Sequence, residues 1–242
     1  MNNEGPLQLK RLEQDLRRAA DPDQAALLQR FFKTGPGEYG AGDVFLGIMV
    51  PKVRELVRKY ADLPLVQIKR LLRREYHEAR LLALLILVRQ FERGDEAARK
   101  RIFDLYLAST GRVNNWDLVD LSAPRIVGAY LLERPKTLLD ELAASPDLWE
   151  RRIAVLATFA EINIGRPRTA LRLADKLLTD DHDLIHKAVG WMLREVGKRC
   201  SPRTLEAYLD RRAARLPRTT LRYAIERLSP AKKRRYLAVK KR

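Results

Sequence analysis

Apolar residues recur along this chain at three-and-four spacing, the period of an amphipathic helix, and alternating β-branched runs are nearly absent. In Leu65-Val66-Gln67-Ile68-Lys69-Arg70-Leu71-Leu72 the apolar positions form one stripe and the basic positions lie opposite. Helix starts are marked by Asp21-Pro22, Ser145-Pro146, Ser201-Pro202 and Ser229-Pro230, each a capping side chain followed by a proline suited to the first helical position. Asp21 and Gln24 also have capping-box spacing. Gly35 to Gly42 reads as a glycine-rich loop, and Phe45 to Pro51 leads into a helix predicted over 51–60.

The helices recur in pairs. The runs beginning at Glu78, Glu150 and His186 superpose so that Arg80, Arg152 and Ala188 fall on multiples of 36 residues, with Trp116 at the intervening step. A period near 36 suits two helices and two turns, the unit of a HEAT-like array. The expected fold is all-α: a curved α-solenoid of helix-pair repeats with a basic concave face. One domain over residues 1–228 is expected, followed by a basic C-terminal tail at 229–242 that carries Lys232-Lys233-Arg234-Arg235 and Lys240-Lys241-Arg242.

Charge narrows the partner. The 242 residues carry a formal net charge of +17, which implies an anionic partner, and nucleic acid is the commonest one. With 46% hydrophobic residues the chain can also bury a core. The single cysteine, Cys200, excludes an internal disulfide and a thiolate cluster and reads as a half-buried thiol in a reducing compartment. The N-terminus lacks the charge and apolar run of a secretory signal, and no stretch approaches the ~18 apolar residues of a membrane span. A cytoplasmic location is expected. The glycines lack phosphate-loop spacing. Three histidines, His77, His182 and His186, make a poor metal set, so neither metal nor cofactor is expected.

Candidate chemistry gathers around the three tryptophans. Trp116 precedes Asp120 by four residues, Trp149 precedes Arg152 by three, and Trp191 precedes Arg194 by three, so each pair shares a helical face. In the segment from Val113 to Pro124, Asn114 or Asn115 can cap a helix that starts at Trp116 with Asp120 one turn below it. Pro124 offers no N–H to the Asp120 carbonyl, so the helix is expected to kink or end there and expose the carboxylate. A plainer reading has Asp117 and Asp120 favouring a helix N-terminus while Trp116 packs in the core. On the Trp191 helix, Lys187, Arg194 and Lys198 place cations around the ring, the layout of a stacking platform with phosphate clamps. Trp149 reads as a packing residue.

The blocks Phe45-Leu46-Gly47-Ile48 with Pro51, Asn115-Trp116-Asp117-Leu118-Val119-Asp120, Leu148-Trp149-Glu150-Arg151-Arg152, and Lys187 through Glu195 resemble the AlkD family of DNA alkylation repair glycosylases. They fall in the family's order and span roughly residues 20 to 215. The resemblance implies a HEAT-like array that binds duplex DNA carrying alkylated purines and hydrolyses the N-glycosidic bond of N3- and N7-alkylated bases, without a base-flipping pocket. It implies a catalytic role for Asp120, with Trp116, Trp191 and Arg152 lining the site. Candidate phosphate contacts are Arg80, Arg151, Lys187, Arg194 and Lys198. Two positions depart from the family pattern. Asn115 stands where a second aromatic is common, and Phe31 stands where an aromatic hydroxyl is expected. A rival reading from another class is a noncatalytic HEAT-repeat protein that binds bent, branched or damaged DNA, in which Asp120 only starts a helix. A protein-interaction scaffold of the same architecture fits the repeats but leaves the +17 charge unexplained. A monomer is expected.

Overall fold

The protein is described by a computed structural model over residues 4–240; the first three residues and the last two residues of the expected basic tail, Lys241 and Arg242, lie outside the described residues. The chain divides into two compact units, Met1–Ser122 and Ala123–Arg242. Among the described residues the regular structure is helical, as the periodicity predicts. Among the same residues, extended backbone pairs only in an isolated bridge between Val44 and Tyr76. Among the described residues no helix is long and apolar enough to cross a membrane.

The first unit contains α1 (Glu4–Arg18), α2 (Pro22–Phe31), α3 (Val50–Lys59), α4 (Leu65–Leu72), α5 (His77–Arg93), α6 (Glu96–Leu107) and α7 (Trp116–Ser122). Its centre is α5. The run from Leu81 to Val88 is apolar on every side, and a helix with no polar face must be covered all round. Helices α3, α4, α6 and α7 all pack against it, and Leu82, Ala83, Ile86 and Leu87 are fully buried. Each such leucine or isoleucine contributes about 1.5–3 kcal/mol of transfer free energy.

Capping follows the sequence in part. Asp21 accepts bonds from the Asp23 and Gln24 amides at 3.0 and 3.1 Å. The reciprocal half of a capping box is replaced, because the Asp21 amide donates instead to the Leu46 carbonyl at 2.8 Å. This bond draws the extended segment 45–48 onto the start of α2. Gly47 makes the approach possible: its φ is +83°, and a Cβ there would lie 2.0 Å from the Asp21 carbonyl oxygen.

The second unit contains a widened helical turn at Pro124–Gly128, α8 (Ala129–Leu131), α9 (Thr137–Ala143), α10 (Leu148–Ala157), α11 (Phe159–Asn163), α12 (Arg168–Lys176), α13 (Asp183–Glu195), a second widened turn at Val196–Cys200, α14 (Pro202–Arg212), α15 (Arg218–Ala224) and α16 (Pro230–Leu237). Helix α10 packs on α9 and α13, and α13 packs closely on α15. That last contact depends on Gly190, since a Cβ there would meet Tyr223 and the Thr220 carbonyl at 2.5–2.6 Å.

Two expectations are corrected and one holds. The helix expected from Ser145-Pro146 begins two residues later, because Asp147 is the cap and accepts from the Trp149 and Glu150 amides at 2.7 and 3.1 Å. At Pro124 the expectation of a kink or an end holds, since α7 stops at Ser122. The chain passes into a π turn in which the Gly128 amide reaches back five residues to the Ala123 carbonyl, so the missing proline N–H is absorbed by wider spacing. The segment expected as a tail contains α16, whose Tyr236 is 1% exposed and donates to Asp210 at 2.9 Å.

Replacing Gly47 with alanine is expected to destabilise the first unit by about 2–4 kcal/mol, because it adds both a forbidden φ and a backbone clash. Chemical denaturation measures the loss, with Gly37→Ala as the control. Gly37 has a similar φ of +78° but no neighbour within 4 Å of an added Cβ, so it isolates the conformational part.

Candidate functional site

Helix α7 carries the candidate carboxylate, and its start is held by an unusual set of buried charges. Asn115 precedes it, fully buried, and its side-chain oxygen accepts from the Trp116 amide at 2.8 Å. Its Nδ2 donates to Asp43 at 3.3 Å. Asp43 also accepts from the Arg80 guanidinium and lies 2.9 Å from Nδ1 of His77. The other ring nitrogen, Nε2, lies 2.8 Å from Asp117 in the first turn of α7. Two carboxylates and two cations thus form one charge-balanced interior network, Arg80–Asp43–His77–Asp117.

The protonation states follow from this geometry. Burial alone disfavours the imidazolium, but the bonds to Asp117 and Asp43 outweigh it and raise the His77 pKa to about 9. Burial also works to raise the Asp43 carboxyl. The bond from His77 and the charge of Arg80 prevail and hold it below the ordinary carboxylate range.

Next to His77 on α5, Glu78 completes the knot. Its two carboxylate oxygens accept from the Leu46, Gly47 and Ile48 amides at 2.8, 2.8 and 3.0 Å. The extended segment therefore has its donors satisfied without a sheet partner.

On this base stand Trp116 and Asp120. Both are half-buried, one turn apart on the same side of α7. The Trp116 ring stacks on Phe32 at 5.1 Å and 19°, and meets Phe31 edge-on at 6.0 Å. Phe32 in turn lies 5.1 Å from the His77 ring. Phe31 is 64% exposed, so an aromatic edge beside Trp116 faces solvent. The negative charge of Asp120 reaches the buried Tyr106 hydroxyl. Burial pushes the hydroxyl above its ordinary range, the hydrogen bond with Ser122 works against it, and the Asp120 charge adds to the rise.

The remaining candidates belong to the second unit. Trp191 is half-buried on α13, its ring 6.3 Å from that of Phe159, over which the Arg199 guanidinium sits at 4.9 Å. Arg152 is 4% exposed on α10 and donates to the Leu184 carbonyl at 2.6 Å, tying α10 to the start of α13. Trp149 is buried, as its packing role requires.

The phosphate candidates separate by exposure. Arg80 is 2% exposed and committed to Asp43 and to the Glu75 carbonyl at 2.6 Å, so it is an interior residue and cannot serve as the expected DNA contact. Arg151 is largely covered, bonding Asp180 at 2.7 Å and the Ser145 and Pro146 carbonyls. Arg194 pairs with Glu226 and lies 3.5 Å from Glu195. Lys187 is partly exposed and pairs with Asp183 at 2.8 Å, whereas Lys198 is exposed. The π turn from Val196 breaks the α-helical register before Lys198, which therefore does not continue the stripe through Lys187 and Trp191.

The histidines at 182 and 186 are used structurally. His182 caps α13 by accepting from the Leu184 amide at 3.1 Å, and His186 bonds the Asp180 carbonyl. No group of three or more His, Cys, Asp or Glu able to hold a metal ion occurs among the described residues. Burial raises the Cys200 thiol, which donates to the Ile162 carbonyl and is therefore a weak nucleophile.

Sequence reading missed His77, Asp43 and the interior use of Asp117. The available signal was spacing: 43, 77 and 117 follow one another at roughly the repeat length.

The raised His77 pKa makes stability depend on pH. A folded value near 9 against about 6.5 unfolded stabilises the protein on the order of 3 kcal/mol. This contribution is complete below pH 6.5, declines as pH rises, and is absent above 9. Thermal melts from pH 6 to 10 are expected to show a falling Tm across that interval, and His77→Gln should flatten the fall.

A sequence model of the DNA alkylation repair enzyme family matches residues 12–228. Among solved structures, the chain is similar to one described as a predicted DNA alkylation repair enzyme from Enterococcus faecalis. The likeness covers 87% of this chain and 97% of that one, with a TM-score of 0.67 at 18% identity. At that identity it shows a shared all-helical α-solenoid fold. No curated protein matches the chain. The family match takes in α7 with its Asn115–Asp120 segment, α10 and α13, nine-tenths of the sequence, so the chain belongs to the DNA alkylation repair enzyme family.

Proposed function

We propose that the protein is a DNA glycosylase that excises cationic N3- and N7-alkylated purines from duplex DNA, with Asp120 as its catalytic group. The observation that carries this reading is a half-buried carboxylate one turn below a half-buried tryptophan, on a helix braced by interior charges, in a chain of net charge +17. Membership in the repair family supplies the substrate class, damaged DNA.

The chemistry asks little of an acid. Alkylation at N3 or N7 makes the purine positively charged, so the C1′–N bond breaks with its electron pair moving onto the base and neutralising it. Positive charge then develops on the deoxyribose. Asp120, fixed in place and partly shielded from water, stabilises that charge. It also accepts the proton of the water whose oxygen bonds to C1′.

Trp116, on the same helix as Asp120, presents its π face to the sugar and the cationic nucleotide, contributing about 0.5–2 kcal/mol. In this reading the lesion is not drawn into a pocket. The burial of Arg152 and its bond to the Leu184 carbonyl support a positioning role over that of an open phosphate clamp. Phosphate affinity comes from exposed cations such as Lys198, with Lys187 able to exchange Asp183 for DNA.

Single-turnover release of free base from duplex DNA bearing N7-methylguanine or N3-methyladenine tests the reading. Asp120→Asn is expected to lower the rate about 10²–10³-fold while DNA binding is kept or strengthened, since a negative charge is removed. No release above the spontaneous rate by the wild type, together with tight salt-sensitive binding by both proteins, would sink the enzyme reading in favour of a noncatalytic DNA-structure binder.

A further inference from the structure

We propose that His77 is a positioning residue for the α7 site: held as an imidazolium between Asp43 and Asp117, it fixes the first turn of α7 and with it the orientation of Trp116 and Asp120. Its consequence for activity rests on the reading of Asp120 as the catalytic group; its consequence for Trp116 does not.

The argument begins with donor counting. A neutral imidazole has one N–H, yet both ring nitrogens of His77 lie within 2.9 Å of a carboxylate oxygen. With both carboxylates ionised, both bonds exist only when the ring carries two protons. The ring is 2% exposed, so water cannot replace a lost bond.

Each carboxylate belongs to a different part of the unit. Asp43 leads into the segment that reaches Glu78, and Asp117 is the second residue of α7. Oδ1 of Asp117 is buried without a hydrogen-bond partner, so the Asp117 carboxylate is anchored through Oδ2 and His77. Asn115 repeats the design from the other side, with Asp43 at one end and the Trp116 amide at the other. Ring contacts run in parallel: His77 stacks on Phe45 at 4.4 Å and lies against Phe32, which stacks on Trp116. Polar and aromatic paths thus both run from His77 to the start of α7.

The charged groups around the ring are accounted for. Arg80 lies one turn along α5, Asp43 faces it from the loop, and Asp117 faces it from α7. Arg112, in the turn before α7, feels both Arg80 and Asp43 and bonds the Leu72 and Arg74 carbonyls. Asp120 and Tyr106 lie farther along α7 and α6. The ring's second proton decides whether the bond that ties Asp117 is kept.

The experiment pairs base release with a local optical signal. In His77→Gln and in Asp117→Asn, single-turnover release of N7-methylguanine is expected to fall about 10–100-fold, as a displacement of about an ångström at a reacting group would produce. The dissociation constant for undamaged duplex should stay within about twofold. In a background of Trp149→Phe and Trp191→Phe, which leaves Trp116 as the sole tryptophan, emission is expected to shift in either variant. The parent background should show an emission transition near pH 9 that His77→Gln abolishes.

Folded variants with unchanged release and unchanged Trp116 emission overturn the proposal. If His77→Gln does not fold, Asp117→Asn, which keeps the imidazole and its packing, decides by the same two readings. If the wild type releases no base, the proposed function fails on its own, and Trp116 emission still decides the role of His77.

Discussion

Four buried charged side chains, Arg80, Asp43, His77 and Asp117, organise the first unit. Removing such groups from water costs several kcal/mol each, which only mutual pairing offsets. The interior therefore tolerates them as a complete set and not singly. Because the set joins α5, the loop before Phe45 and the first turn of α7, its all-or-none character passes to the segment that carries Trp116 and Asp120. Glu78 adds a second constraint at the same helix start by gathering three backbone amides that have no sheet to join.

The same logic, in looser form, runs through the second unit. Many of its polar ties connect residues about one repeat apart. Arg172 pairs with Asp140, Lys176 bonds the Asp140 carbonyl, Tyr208 and Arg212 reach Asp175, Thr219 reaches Asp183, and Arg194 reaches Glu226. A chain with 48 basic and 31 acidic residues has acids to spare for few purposes. Here several of them hold one helix pair to the next. These outer ties are open to solvent and weakened by its screening, so apolar burial along α10 and α13 supplies most of the cohesion.

The helices, several of their caps and the Trp116–Asp120 face were legible from spacing, because a 3.6-residue period and an Asn or Asp at a helix start act locally. Legibility failed where the answer depended on contacts far along the chain. Arg80 and Arg152 occupy superposed positions in apolar runs, and the repeat itself marked those positions as inward. Reading a basic side chain as solvent-facing hid that. Pro124 announced a kink or an end because an α-helix has no way to use it, but the π turn that follows Ser122 was not legible. Asp147 displaced Ser145 as a cap since a carboxylate two residues nearer the helix can serve two amides at once. His77 was passed over because a lone histidine in a sequence shows neither of its partners.

The docking of α16 changes what the C-terminal charges can do. A free basic tail would sweep a volume of solvent and enlarge the distance over which a polyanion is first captured, at the entropic cost of being ordered on contact. Tyr236 sits in a slot closed by Asp210 and the Glu206 carbonyl, and Lys232 and Arg235 are matched to Glu206 and Asp210. The charges around it are thereby held as a fixed patch on their unit. They shape the local field at a fixed place and bring no reach of their own, so shortening the chain before Pro230 would uncover a folded surface where composition alone promised a basic tail.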